Sequence, residues 1–284
     1  MTDSGSLLTL MGPIALRRAG IRRRLPFAGA TRRLFMLLAG HANSALRRDL
    51  ALDTIWPNEA AGRAGSALNT AVWRIRGVLA DLPGVDLEVI DDTLRLAVEP
   101  PARIDAHELE AAVQFACPQH HGSGLTESGR VRLQAAAAEC RGAFLEGCSD
   151  HWVLPLRERY AALHIQAMSM LLRDAAAQGD YETALQHGRR IIELDPFREG
   201  TQREVMWLYA LSGQRARAIR QYRELRDMLA RELAIAPMPE TQALLRRITE
   251  ATQSLSPDLA HVRGPVWPVD DSEVHAGEFG SGRG

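Results

Sequence analysis

The segment Gly179-x-Tyr181-x-x-Ala184-Leu185 returns as Gly213-x-Arg215-x-x-Ala218-Ile219, 34 residues further along. That is the tetratricopeptide period, and it commits this stretch to stacked helix pairs, because a single pair cannot bury its own apolar face. Gly179 and Gly213 fall where the two helices of a pair turn, and Ala184 and Ala218 fall where helices must cross closely. Asp195-Pro196 ends the first unit, and Pro237-x-Pro239 ends the second after a longer helix. Upstream, a helix from Ile104-Asp105 to Cys117-Pro118, an antiparallel partner over 129–141 and a long helix over 156–177 supply enough surface for a continuous core. Trp207, Tyr209 and Tyr222 are expected in that core.

The first hundred residues follow another pattern. Short apolar runs at 7–11 and 14–16 surround Gly12-Pro13, Leu25-Pro26-Phe27 follows an arginine run, and all three read as small strands. A helix is expected from Thr31, its hydroxyl capping the first turn, with Leu34, Leu37 and Leu38 as the apolar stripe. A second spans about 46–56 and stops at Pro57. A third spans 63–82. At about 100° per residue, its Leu68, Val72, Ile75 and Leu79 fall on one inward stripe. Arg63, Ser66, Thr70, Trp73 and Gly77 lie opposite, flanked by Asn69, Arg76 and Arg74. Alternating residues at 85–90 and 93–98 around Asp91-Asp92 read as a hairpin. Three helices and a hairpin outline a winged helix. A rod of that width fits a major groove, where Asn and Arg side chains match adenine and guanine edges.

Charge separates the two parts. All 34 basic residues are arginine, against 35 acids, yet residues 1–80 carry 12 of the arginines and only four acids. A basic head on an acidic body suits binding to a polyanion. No lysine means no Walker-type phosphate loop, and neither Gly-x-Ser-x-Gly nor His-Glu-x-x-His occurs. No enzyme activity and no cofactor are expected. Cys117-x-x-His120-His121 and Cys148-x-x-His151 carry zinc-ligand types. They belong to opposite ends of an expected antiparallel pair, so a metal site is not expected. Three cysteines, no long apolar run and no leader pattern suggest a cytoplasmic protein without membrane contact.

The string Gly12-Pro13, the helix end Asp53-Thr54-Ile55-Trp56-Pro57 and the run from Ala67-Leu68-Asn69-Thr70 through Ala71-Val72-Trp73-Arg74-Ile75-Arg76 resemble the winged-helix domain of the Streptomyces antibiotic regulatory protein family. That domain is related to those of OmpR/PhoB-type response regulators. The second half resembles its usual partner, the helical bacterial transcriptional activator domain. The chain departs from the family pattern at Arg47, where a Ser or Thr cap is usual, and at Trp73 and Gly77.

The fold expected is therefore mainly α: a winged helix-turn-helix with small sheets over 1–99, a tetratricopeptide-like domain over 103–253, and a disordered tail over 254–284. The resemblance implies a sequence-specific activator that binds double-stranded promoter DNA, recruits RNA polymerase and pairs as a homodimer on direct repeats. Arg74 and Asn69 are expected at base edges, with Thr70 and Trp73 near thymine methyls and Ser66 and Arg76 on the same face. Arg63, Arg47, Arg48 and Arg32 are expected at phosphates, and Arg95 at a minor groove from the hairpin. The alternative is a protein-interaction adaptor whose winged helix has lost DNA affinity. A third reading is a regulator gated by a small molecule in the helical groove.

Overall fold

The computed structural model describes residues 5–18, 21–116 and 124–250. Cys117, His120, His121 and the expected tail, with its Trp267 and Phe279, lie outside the described residues. The chain divides into two compact units, one up to Ala167 and one from Met168, and the long helix α6 (Leu154–Ala177) runs through that division.

In the first unit, β1 (Ser6–Thr9), β2 (Ala15–Arg18) and β3 (Ile21–Arg24) form an antiparallel meander. A two-residue strand β7 (Arg103–Ile104) completes this sheet, parallel to β1, in the order β3-β2-β1-β7. Three helices follow the meander: α1 (Gly29–Gly40), α2 (Arg48–Ile55) and α3 (Ala61–Leu79). Between α1 and α2, the short β4 (Leu46–Arg47) joins the hairpin of β5 (Val85–Ile90) and β6 (Thr93–Val98) in a second sheet ordered β4-β6-β5. This is the expected winged helix. Its core is the inner stripe of α1, with Leu34, Phe35, Leu37 and Leu38, packed with Leu68 and Ile75 of α3 and Leu87, Leu94 and Leu96 of the hairpin, all buried.

Several boundaries differ from the sequence reading: the third strand lies on the arginine run itself, Ile21–Arg24, and not on 25–27, and helix ends shift by a few residues. Helix α1 starts at Gly29 behind Ala28, which offers no capping side chain, and Thr31 is a buried residue inside the helix rather than its cap. Helix α3 runs from Ala61 to Leu79, displaced toward the N-terminus relative to 63–82. Neither start carries a side-chain cap, so sequence holds no marker for either.

The helices after β7 are bonded to the N-terminal sheet. In α4 (Asp105–Ala116), the first residue turns its carboxylate back to that sheet: Leu10 N–H donates to Oδ1 at 2.7 Å and Met11 N–H to Oδ2 at 2.9 Å. Asp105 is 1% exposed, and burial pushes its carboxyl up to about 6 despite the N–H groups that favour its charged form. Helix α5 (Glu127–Glu139) is capped by the Thr126 hydroxyl, which accepts from Gly129 N–H. The segment after it lies along Gly12-Pro13: Arg141 N–H donates to Met11 carbonyl, Gly12 N–H to Ala143 carbonyl and Leu145 N–H to Leu10 carbonyl. Arg157 of α6 then fixes the bend by donating to the carbonyls of Phe144, Leu145 and Cys148. Gly12-Pro13, met in the sequence as punctuation, is one edge of this backbone pairing.

In the second unit, α7 (Tyr181–Leu194), α8 (Glu199–Leu211), α9 (Arg215–Leu233) and α10 (Pro239–Glu250) form the repeat array. Gly179 and Gly213 stand at φ +79° and +74° in the α6–α7 and α8–α9 turns, the left-handed region that favours glycine. Ala184 and Ala218 are fully buried. Gly188 marks the tightest crossing: a Cβ there would stand 2.5 Å from Val205 Cγ2. Tyr209 is buried as expected, whereas Trp207 is half-buried under the Arg247 guanidinium, 5.3 Å from its ring centre.

Candidate nucleic-acid interface

Helix α3 is amphipathic by construction. Ala64, Leu68, Ala71, Val72, Ile75 and Leu79 are buried, and every one lies on the stripe facing α1 and the hairpin or beside it. What remains faces outward: Arg63, Ser66, Asn69, Thr70, Trp73, Arg74 and Arg76 are all exposed, with Trp73 at 75% the most open large apolar residue of the described chain. The apolar stripe sets the rotation of the helix, and that rotation presents this row to solvent.

The exposed residues are not equivalent. Among the described residues, Arg63 and Arg74 have no hydrogen-bond or carboxylate partner and project freely. The hydroxyls of Ser66 and Thr70 each donate to a carbonyl four residues earlier in α3, Gly62 and Ser66, which leaves their lone pairs outward. Arg48, the first residue of α2, donates from Nη2 to Asn69 Oδ1 at 2.7 Å. This bond couples two side chains expected at different targets. It fixes the Asn69 amide with Nδ2 available as donor and one Oδ1 lone pair still open, the combination an adenine edge requires.

Arg76 donates from Nε to Leu87 carbonyl at 2.8 Å, so it ties α3 to β5 and keeps only its terminal nitrogens for another partner. Arg47 closes on Asp49, whose carboxyl that hydrogen bond holds below the usual range. Arg95, expected at a minor groove, instead lies on the face of β6 between Glu88 at 3.4 Å and Glu99 at 3.8 Å. Two carboxylates already satisfy its charge, so it does not join the free guanidinium groups. Arg32 is exposed on α1, with Nη2 beside Gly147, and has no partner among the described residues. The structure therefore brings Arg63, Ser66, Asn69, Thr70, Trp73, Arg74 and Arg48 to one face, and sets Arg95 apart.

A shallow cleft of about 390 Å³ borders this face, lined by Pro26, Phe27, Ala28 and Thr31 on one side and Trp73, Arg74, Gly77 and Val78 on the other. A Cβ at Gly77 would meet nothing within 4 Å, so packing does not demand glycine there. Sequence reading missed the residue that seats the motif. Arg33 of α1 donates to the carbonyls of Thr54 and Ile55 at the end of α2 and, through Nε and Nη2, grips Asp150 at 3.0 and 2.8 Å. Nothing in its sequence neighbourhood distinguishes Arg33 from Arg32; only the position of Asp150 does. Among the described residues no group of three metal-ligating side chains gathers, and Cys140 and Cys148 are both buried.

A winged helix with a bare, arginine-bearing third helix, followed by a helical-repeat array, defines a transcriptional regulator. The family model for the bacterial transcriptional activator domain matches residues 104–249, just over half of the sequence. The chain belongs to that family, in the two-domain arrangement of the Streptomyces antibiotic regulatory proteins. It is 26% identical to the transcriptional regulatory protein MoaR1 of Mycobacterium tuberculosis over 264 residues, covering 87% of this chain and 80% of that one. It is also 26% identical to the regulatory protein AfsR of Streptomyces coelicolor over 260 residues, covering 89% of this chain but only 25% of AfsR. In fold it matches Mycobacterium tuberculosis EmbR, solved in complex with a low affinity phosphopeptide, with a TM-score of 0.68 at 22% identity. That match covers 87% of this chain and 65% of the EmbR chain. Among the described residues no helix is long and apolar enough to cross a membrane.

Proposed function

We propose that this regulator is a cytoplasmic, non-enzymatic activator that reads promoter DNA with α3 in the major groove and engages RNA polymerase through its helical domain. The observation that carries the reading is the outer face of α3, where Arg63 and Arg74 have no counter-charge among the described residues and stand beside an oriented Asn69. An unpaired guanidinium on a rigid helix loses little on meeting a phosphate or a guanine edge, since no internal ion pair has to break. Arg74 and Asn69 read bases, Thr70 and Trp73 lie against thymine methyls or sugar, and Arg63, Arg48 and Arg32 hold phosphates. Ser66 and the terminal nitrogens of Arg76 extend that row. Arg47 reaches a phosphate by exchanging Asp49 for it. The β5–β6 hairpin follows an adjacent minor groove without Arg95 as its reader.

In this reading the DNA-binding module spans 1–99 and the activator domain 103–253, and two copies bind direct repeats side by side. Fluorescence anisotropy with duplexes from the protein's own genomic neighbourhood, at two salt concentrations, is the test. Binding that weakens steeply with salt yet survives excess scrambled duplex supports it. An absence of binding at low salt leaves the adaptor reading, which the open cleft at Trp73 and Gly77 favours.

A further inference from the structure

In the second unit, Arg189 of α7, Tyr209 of α8 and Arg217, Arg220, Gln221 and Glu224 of α9 enclose a groove of about 300 Å³. Three guanidiniums meet there around one carboxylate. Among the described residues none of the three has a carboxylate partner: Arg217 donates only to the neutral Gln214 Oε1, at 2.7 Å, and Arg189 and Arg220 have no partner. Arg190 and Arg226, on the same two helices, pair with Glu193 and Asp227. Gln221 is held by its own bond to Gln202 Oε1 at 2.8 Å, which firms the groove wall. Three guanidiniums against the single Glu224 carboxylate leave the groove net positive, which favours an anionic occupant.

The sequence beyond the described residues supplies one. Asp270-Asp271-Ser272-Glu273 carries three carboxylates in four residues. Arg215, the first residue of α9, donates to Thr249 carbonyl at 2.6 Å, so the chain leaves α10 beside the first turn of α9. Arg217 and Arg220 lie within the next two turns, across the helix from Arg215, about 10 Å around its girth. The residues linking Glu250 to Asp270 can reach as far as ~66 Å when extended. We propose that this acidic segment docks in cis into the Arg189–Arg217–Arg220 groove. The contact sets the segment's carboxylates against the three guanidiniums of the groove.

Amide hydrogen exchange on the full chain tests this. At low salt, amides 269–275 exchange at least ~10-fold slower than in a free synthetic peptide of the same sequence, and protection falls at about 0.5 M NaCl as screening shortens. Protection is lost in Asp270→Asn/Asp271→Asn/Glu273→Gln, and equally in Arg189→Ala/Arg217→Ala/Arg220→Ala. Unchanged exchange within α7–α9 establishes that each variant is folded. Free-peptide rates in the wild type, or protection that persists in the arginine variant, overturn the proposal. Protection that falls on dilution assigns the segment to a second copy and overturns docking in cis. Inorganic phosphate that broadens its own phosphorus resonance at the groove while the segment exchanges freely makes the occupant a small anion, and also overturns it.

Discussion

Asp105 is one of the points at which the helices after β7 are bonded to the N-terminal sheet, and its replacement by alanine gives a measurable cost. Its two oxygens accept the N–H groups of Leu10 and Met11, which are 1% and 3% exposed. Removing the carboxylate leaves both donors buried without an acceptor, at about 1–3 kcal/mol each, so Asp105→Ala should cost about 2–6 kcal/mol. That is a large part of the ~5–15 kcal/mol that holds a typical domain together. The pH dependence is distinctive. Because the folded carboxyl titrates at about 6, above its ordinary value of 3.8, the native state binds the extra proton. Stability contributed by this group is therefore full below pH ~4 and declines as pH rises toward ~6, by on the order of 3 kcal/mol. Asp105→Asn keeps an oxygen for one donor, cannot titrate, and should flatten that part of the curve. Urea unfolding of wild type, Asp105→Ala and Asp105→Asn from pH 4 to 7 measures all three effects. An alanine variant within 0.5 kcal/mol of wild type, or wild-type and asparagine curves that stay parallel across the window, would refute the reasoning.

Further outcomes follow from the geometry. Two helical glycines, Gly77 of α3 and Gly188 of α7, should respond with opposite signs. Gly77→Ala meets nothing within 4 Å and should stabilise by ~0.5–1 kcal/mol, whereas Gly188→Ala drives a methyl against Val205 and should destabilise by ~1–3 kcal/mol. Thermal unfolding of both variants decides this, and matching signs would contradict the crossing. In DNA binding, Arg48→Ala and Asn69→Ala should be non-additive, with a coupling of about 0.5–3 kcal/mol, because one side chain orients the other. A double-mutant cycle that adds to within 0.3 kcal/mol would show that the bond does not persist on DNA.

What sequence could show depended on how locally each feature is encoded. Leu68, Val72, Ile75 and Leu79 repeat at helical spacing, so the rotation of α3 and its outer face are legible in the sequence. The turn glycines were legible because their backbone sign admits few other residues. The ends of α1 and α3 were not, since Ala28 and Ala60 carry no capping group. Asp105 reads as an ordinary helix-starting acid, yet its partners are backbone amides 94 and 95 positions away. Arg95 shows the converse: alternation placed it on the hairpin, but only the strand register sets Glu88 opposite it. Of the candidate site, the outward row was legible in the spacing. The Arg48–Asn69 bond and the Arg33 clamp on Asp150 arise from tertiary neighbours that no local pattern encodes.

The central claim is that the outer face of α3 meets a duplex and distinguishes its sequence. Arg74→Ala, measured by anisotropy on a footprinted site and on variants of it, tests that claim at its freest side chain. The account predicts a loss of about 1–3 kcal/mol confined to one base position, with the salt dependence otherwise preserved. An equal loss on cognate and scrambled duplexes would contradict it.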